Sequence, residues 1–282
     1  MTWWAIDVRG EAARRDALAA WLVRTTGLAV EERPDGTLVS FADTEAGAER
    51  LIDRLRAEHG EGLQITRRAL EPTDWSTRWR EGLGPRRLGR LVVAPSWVAY
   101  APGPEETVVV LDPETAFGSG EHGSTRVALR LLERLVAPGD RVLDLGSGSG
   151  ILAIAAVRLG ASRAVGIETD AEANDVAARN AERNGVADRA RFLAGDAADL
   201  APLLGPADLV LSNILRTVNV ALLPAILASL RPGGIAIFAG MEEAEAAEFR
   251  GPLAAAGFEA VEEAVDAGWW GVAARRAGAE RC

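Results

Sequence analysis

Along residues 3–66 the hydrophobic positions switch period repeatedly. Residues 3–8 alternate as a strand with one buried face, and residues 11–25 place Leu18, Trp21 and Leu22 on one helical face. Residues 28–32 and 37–41 read as two strands joined across the turn sequence Pro34-Asp35-Gly36. A second helix follows, with Thr44 as its cap and Ala48, Leu51, Ile52 and Leu55 at i, i+3, i+4 and i+7. Gly60 and Gly62 end it before the alternating strand of residues 63–66. The order βαββαβ predicts a small ferredoxin-like α+β domain over residues 1–70.

Residues 72–83 place Trp75 and Trp79 four apart, which predicts a short helix within a linker over residues 71–89. Arg86-Arg87-Leu88-Gly89-Arg90 reads as a solvated basic loop, and His59 as a solvated residue at a helix end. A second domain over residues 90–282 opens with strand-like stretches at 91–94, 97–100 and 107–111. Apolar strands and helical patterns then alternate: strand 141–145, helix 151–159, strand 165–168, helix 171–184 capped by Asp170, strands 191–197 and 208–212. Strands 234–239 and 258–264 flank a helix carrying Phe249 and Leu253, and residues 268–274 close the series. This predicts a doubly wound, seven-stranded, Rossmann-like α/β domain whose last two strands form a hairpin.

The chemistry concentrates where the first of those strands ends, in Asp144-Leu145-Gly146-Ser147-Gly148-Ser149-Gly150-Ile151. Glycines in that turn let the backbone approach a ligand, and Glu168, ending the next strand, can accept hydrogen bonds from a ribose. The spacing is G-x-G-x-G, whereas a dinucleotide fingerprint needs a third glycine where Ile151 stands. Asp144 would also repel a pyrophosphate, and an acid there suits a cation. S-adenosyl-L-methionine carries a ribose, an adenine and a positive sulfonium without a phosphate. A dinucleotide and a purely structural glycine turn are the alternatives. Gly146 and Gly148 are therefore cofactor candidates with Asp144 and Glu168. Asp196 is placed either to accept from an adenine amino group or to stabilise its own turn.

The glycine-rich stretch of residues 112–126 precedes this turn and is expected to lie across the ligand cleft. In it, Thr125 either caps the following helix or contacts the cofactor, and His122 either orders the loop or touches substrate. Asn213, ending the fourth strand of the domain, can accept a hydrogen bond from a neutral amine without stabilising the ammonium as a carboxylate would.

Composition narrows the classes. The 282 residues, 48% hydrophobic, suffice for one large and one small folded domain. No apolar run approaches the roughly 18 residues of a membrane span, and the amino terminus lacks a signal-peptide pattern, so a cytoplasmic protein without membrane contact is expected. Cys282 is the only cysteine and the histidines number two, which argues against a disulfide or a metal site. All 31 basic residues are arginine. A GC-rich genome explains this, and a lysine-modifying enzyme would also thereby escape modifying its own side chains. Residues 1–90 hold 15 arginines and 15 acids, and residues 91–282 hold 16 arginines and 26 acids. The acidic second part repels nucleic acid and attracts a basic partner, or simply keeps the chain soluble.

Taken together, these residues resemble the bacterial methyltransferase family of ribosomal large-subunit protein 11, within the class I S-adenosylmethionine-dependent fold. The resemblance is carried by Asp112-Pro113, Ala116-Phe117-Gly118-Ser119-Gly120-Glu121-His122, Thr125, the run 144–154, residues 180–186 and Asn213-Ile214-Leu215. It extends over residues 72–275, and the small domain before them matches the family's plan. It implies methylation of lysine or amino-terminal nitrogens of a basic protein, ribosomal large-subunit protein 11. It also implies that Thr125, Gly146, Glu168 and Asn213 contact the cofactor and that Asn213 helps hold the target nitrogen. Asn213 and His122 are the catalytic candidates, and a monomer without direct contact with nucleic acid is expected. By the same resemblance the first domain grips the protein substrate. The chain departs from the family's pattern at Ser119, Gly123-Ser124, Glu168 and Arg216. Arg216 is expected beside the substrate mouth, where it bears on which acceptor is used. The lysine methyltransferases of an electron-transfer flavoprotein share much of the motif set and are the alternative, with an RNA or small-molecule methyltransferase a further one.

Overall fold

The computed structural model describes residues 3–10, 15–26, 30–33, 35–60, 62–69, 84–114 and 116–277. The chain divides into two compact units, Met1–Glu81 and Gly82–Cys282. The expected linker helix falls on residues 72–83, outside the described residues.

The first unit runs β1 (Trp4–Arg9), α1 (Arg15–Thr26), β2 (Glu31–Glu32), β3 (Leu38–Ala42), α2 (Glu45–His59) and β4 (Gln64–Ala69). Its antiparallel sheet has the order β2-β3-β1-β4. The apolar faces read from the sequence meet in one core, where Ile6 and Val8 of the sheet pack with Leu18, Leu22, Leu51 and Leu55 of the helices. Thr44 caps α2, its hydroxyl accepting from the Gly47 N–H at 3.1 Å. His59 departs from expectation. Its ring stands edge-on to Trp21 with centroids 4.9 Å apart, and its Nε2 is buried, because Trp21 reaches across to donate to Glu58 at 2.7 Å.

The second unit opens with a small sheet of β5 (Arg86–Leu88), β6 (Leu91–Ala94) and β7 (Thr107–Val110), in that order. The arginines expected in a solvated loop lie instead on or beside β5, because each meets an acid: Arg86 pairs with Glu121, Arg87 with Glu106, and Arg90 with Glu133 at 3.1 Å. The strand expected at residues 97–100 is absent. The Asp112 carboxylate captures the Ser96 N–H at 3.0 Å and hydroxyl at 2.7 Å, turning the chain before a strand can form.

The large sheet is built from β8 (Arg141–Leu145), β9 (Arg163–Glu168), β10 (Ala190–Ala194), β11 (Ala207–Asn213), β12 (Leu230–Glu242), β13 (Phe258–Asp266) and β14 (Trp269–Arg276). Its order is β10-β9-β8-β11-β12-β14-β13, with β14 antiparallel to both neighbours and the remaining pairs parallel. The helices are α3 (Gly123–Leu135), α4 (Ile151–Leu159), α5 (Ala171–Arg183), α6 (Ala197–Leu204), α7 (Arg216–Ser229) and α8 (Ala246–Ala255). Side chains of α3, α4 and α5 join one core and those of α6, α7 and α8 another, so β8 is buried on both faces, as its unbroken run Val142-Leu143-Asp144-Leu145 requires. Phe238, fully buried in β12, packs its ring 5.2 Å from Phe249 and 5.8 Å from Phe258. Phe238→Ala is expected to cost about 3–5 kcal/mol, the usual loss for a truncated core aromatic, read as a lower urea midpoint at an unchanged slope.

Candidate functional site

The chain leaves β8 for β9 on one side of the sheet and returns to β11 on the other, which makes the carboxyl end of β8 the switch point where such sheets take ligands. A cavity of about 590 Å³ lies there, lined by Gly146, Gly148, Glu168, Asp196, Asn213, His122 and the apolar side chains around them. Gly148 shows why the bend is made of glycine. Its φ is +49°, and a Cβ built on it would sit 2.6 Å from the Phe117 carbonyl oxygen. The Gly148 N–H donates to Glu168 Oε2 at 3.1 Å, while Glu168 Oε1 accepts from the Thr169 and Asp170 N–H groups at 2.8 and 3.2 Å. Backbone donors thus fix the carboxylate at the end of β9, and Oε2 keeps a lone pair for a ligand hydroxyl. Asp196 caps α6, accepting from the Ala198 N–H at 2.8 Å, and lines the cavity as well.

Two of the expected cofactor residues are not in the cavity wall. Thr125 is completely buried in the first turn of α3; it is not the cap, a position held by His122. Its hydroxyl accepts from Asn213 Nδ2 at 3.3 Å, so Thr125 reaches the cavity through Asn213. Asp144, only 1% exposed, lies beneath the bend. Its Oδ2 accepts from the Ala153 N–H at 3.0 Å and its Oδ1 has no partner. Burial pushes this carboxyl up to about 7; the Ala153 N–H opposes the shift and the Glu168 charge adds to it.

Asn213 presents Oδ1 as a buried acceptor without a partner among the described residues. The neighbouring carbonyls are occupied: Ile214 O accepts from Asn219 Nδ2 at 2.9 Å, and Leu215 O from the Val218 and Asn219 N–H groups at 3.0 and 2.9 Å. Asn219, fully buried, also accepts from the Ser212 hydroxyl at 2.6 Å and donates to Ala239 O at 3.0 Å, clamping both sides of the Asn213 turn. Gly240 completes this wall, since a Cβ there would collide with the Ile214 backbone. Neither residue follows from motif reading, although an asparagine inside the apolar stretch of α7 is the kind of signal that marks a buried polar clamp.

His122 orders its loop and also lines the cavity. Its Nδ1 lies 2.7 Å from the Ser124 hydroxyl, and its ring packs 4.3 Å from Trp269 and 5.5 Å from Phe117. Trp269, also absent from the motif reading, is held near by Asp266, whose carboxylate takes two bonds from Arg126 at 2.9 and 3.0 Å and is thereby kept below the usual carboxylate range. Arg216 is engaged elsewhere, with Glu245 at 3.1 Å and Glu248 at 2.9 Å.

Glu168 and Asp196 are the acids of the lining, and among the described residues no arginine lines the cavity with them. A pyrophosphate would meet carboxylates without a countercharge, whereas a nucleoside bearing a cation meets complementary groups. Among the described residues no cluster of metal-ligating side chains occurs, and no helix is long and apolar enough to cross a membrane. This mixed seven-stranded sheet, with an acid-lined cleft where β8 ends, defines a class I methyltransferase-like α/β domain.

The family model described as Ribosomal protein L11 methyltransferase (PrmA) matches residues 10–277, and the chain belongs to that family. It is 42% identical over 217 residues to the Ribosomal protein L11 methyltransferase of Pelotomaculum thermopropionicum, covering 77% of this chain and 70% of that protein. It is 38% identical over 235 residues to that of Chloroflexus aurantiacus, covering 75% of this chain and 72% of that protein. The crystal structure of ribosomal protein L11 methylase from Lactobacillus delbrueckii subsp. bulgaricus superimposes with a TM-score of 0.63 at 31% identity, over 69% of this chain and 99% of that one.

Because the Asp144 carboxyl titrates higher in the folded chain than unfolded, the folded state holds the extra proton between about pH 4 and 7. Its contribution to stability is complete below that window and lost as the pH rises through it. Asp144→Asn is therefore expected to flatten the pH dependence of the melting temperature between about 4 and 7, and an unaltered slope would show that another group titrates there.

Proposed function

We propose that the chain is an S-adenosylmethionine-dependent N-methyltransferase of ribosomal protein L11, acting on lysine side chains or an amino-terminal nitrogen. The observation that carries this reading is Asn213, which lines a cavity whose charged walls suit a cationic nucleoside and not a phosphate, and whose buried amide Oδ1 has no partner among the described residues. The names of the family and of its relatives supply the acceptor protein.

Bound S-adenosylmethionine supplies an activated methyl group on a sulfonium, so the protein's task is placement and exclusion of water. Glu168 holds the sugar hydroxyls. Asp196 faces the adenine, and the glycine bend admits the donor close to the backbone. Asp144, beneath the bend, favours the cation without touching it, and the cation in turn favours its ionised form. Asn213 Oδ1 accepts a hydrogen from the incoming amine and directs the nitrogen lone pair toward the methyl. An amide suits this because a carboxylate would keep the amine protonated. Transfer to that nitrogen would form an N–C bond as the donor's S–C bond breaks, with the proton lost from nitrogen passing to solvent. Thr125 fixes the Asn213 amide by accepting from Nδ2. Phe117 and Leu215, 58% and 68% exposed at the mouth, give an apolar rim to the segment carrying the nitrogen, with His122 and Trp269 behind it.

The first unit is proposed as a ferredoxin-like substrate-recognition domain over residues 1–70, joined through residues 71–89 to a catalytic domain over residues 90–282. The acidic charge of residues 91–282 supports a basic protein partner over nucleic acid. The enzyme is proposed to work in the cytoplasm as a monomer.

Labelled methyl from the cofactor is expected to enter purified ribosomal protein L11. Asn213→Ala should lower the rate constant of transfer about 10²-fold, the scale of a misplaced reactant; transfer at the full rate by that variant would sink the role given to the amide. Deleting residues 1–70 should leave cofactor affinity intact and abolish methylation of L11. If the shortened chain still modifies L11 normally, recognition lies elsewhere.

A further inference from the structure

Asn180, fully buried in α5, uses its side-chain amide on two separate segments. Its Oδ1 accepts from the Asp112 N–H and from Arg183, each at 3.1 Å, and its Nδ2 donates to Asp112 O at 3.1 Å and Ser149 O at 3.0 Å. At the end of the same helix Asn184 repeats the pattern on Val110, accepting from its N–H at 2.8 Å and donating to its carbonyl at 2.6 Å. The register is geometric. Four helical residues rise about 6.0 Å and two extended residues span about 6.6 Å, so amides at i and i+4 meet alternate peptide units much as a neighbouring strand would.

Only Asn180 continues beyond that segment, to the glycine bend. The Ser149 N–H donates to Phe117 O at 2.9 Å and the Ser149 hydroxyl to Gly118 O at 2.7 Å. The loop that carries Phe117 and His122 is therefore tied at its start, Asp112, and at its middle from one buried point. We propose that Asn180 is a positioning residue that sets the height of residues 116–122 above the glycine bend and so holds the cavity wall in place before a ligand arrives. It does not line the cavity and acts through Ser149 and Asp112. A wall already in place spares the ligand the cost of ordering it.

The test uses the full chain. With two histidines in the sequence, the ring signals of His122 are assignable by NMR, and stacking 4.3 Å from Trp269 gives them a ring-current signature of the seated loop. In ligand-free Asn180→Ala these signals are expected to move toward those of free histidine. S-adenosylmethionine should bind about tenfold more weakly by calorimetry, as when the competent loop is populated a tenth of the time. Asn184→Ala, which cuts the Val110 pairing and the Asn184 Nδ2 bond to Asn180 O at 2.8 Å but none of the bonds of the Asn180 side chain, should lower the melting temperature yet leave the His122 signals and the affinity at their wild-type values. Should Asn180→Ala fail to fold, Asn180→Asp takes its place. It keeps the shape and the acceptor for the Asp112 N–H but sets a carboxylate against two carbonyls, and the same changes are expected. A folded Asn180 variant with native His122 signals and affinity overturns the proposal, as does an Asn184→Ala protein altered equally in both. The affinity arm rests on the cofactor assigned above and the NMR arm does not. A wild-type chain indifferent to S-adenosylmethionine, with His122 signals that still depend on Asn180, would overturn the cofactor and leave the positioning role standing.

Discussion

At Gly148 three parts of the second unit come within contact of a single residue that has no side chain. The Phe117 carbonyl occupies the space a Cβ would need, and the Gly148 N–H is taken by Glu168. The bend after β8 is thereby pressed between the loop before α3 and the acid that ends β9. Any side chain at this position would meet the Phe117 carbonyl and push the loop off the bend. The cavity exists because that contact is close. Its floor, one wall and the Glu168 carboxylate are set by the same few ångströms of backbone.

Such a bend would be fragile if the polar groups around it were left to themselves. The groups that hold it are buried and paired: Asp112, Ser149, Asn180 and Asn184 form a connected set from β7 to the glycine turn. A buried group left unpaired costs about 1–3 kcal/mol, so loss of one member would expose several such costs at once. Among the described residues, Asp144 Oδ1 beneath the bend, Ser147 Oγ within it and Asn213 Oδ1 at the end of β11 are buried atoms that stand apart from this satisfaction. Leaving acceptors unpaired there is unfavourable in the empty protein and favours a ligand that brings a positive charge and a nitrogen-bound hydrogen.

The alternation of strands and helices made the large sheet readable from sequence, because buried parallel strands such as Val142-Leu143-Asp144-Leu145 are apolar but for the acid near the end and glycines punctuate them. Thr44 and Asp170 were legible as caps for the same local reason, and each accepts from the backbone of its own helix. Tertiary pairing was not legible. The basic run at residues 86–90 became an edge strand and its turn through acids 19 to 43 residues away along the chain, Glu106, Glu121 and Glu133. The stretch at residues 97–100 lost its strand to a carboxylate at Asp112. Helix α7, apolar on most sides and carrying Pro224, offered no clean stripe to delimit it. In the site, the glycines, Glu168 and Asn213 announced themselves by motif. Asn219, Gly240 and Trp269 did not, since each matters through what folds against it.

The central claim is that this cavity accepts a cationic nucleoside and refuses a pyrophosphate, because Glu168 and Asp196 line it and, among the described residues, no arginine does. Calorimetry of the purified full-length chain with S-adenosylmethionine and with a nicotinamide dinucleotide tests it directly. The account predicts saturable binding of one S-adenosylmethionine per chain and no heat from the dinucleotide; tight binding of the dinucleotide with none of S-adenosylmethionine would contradict it.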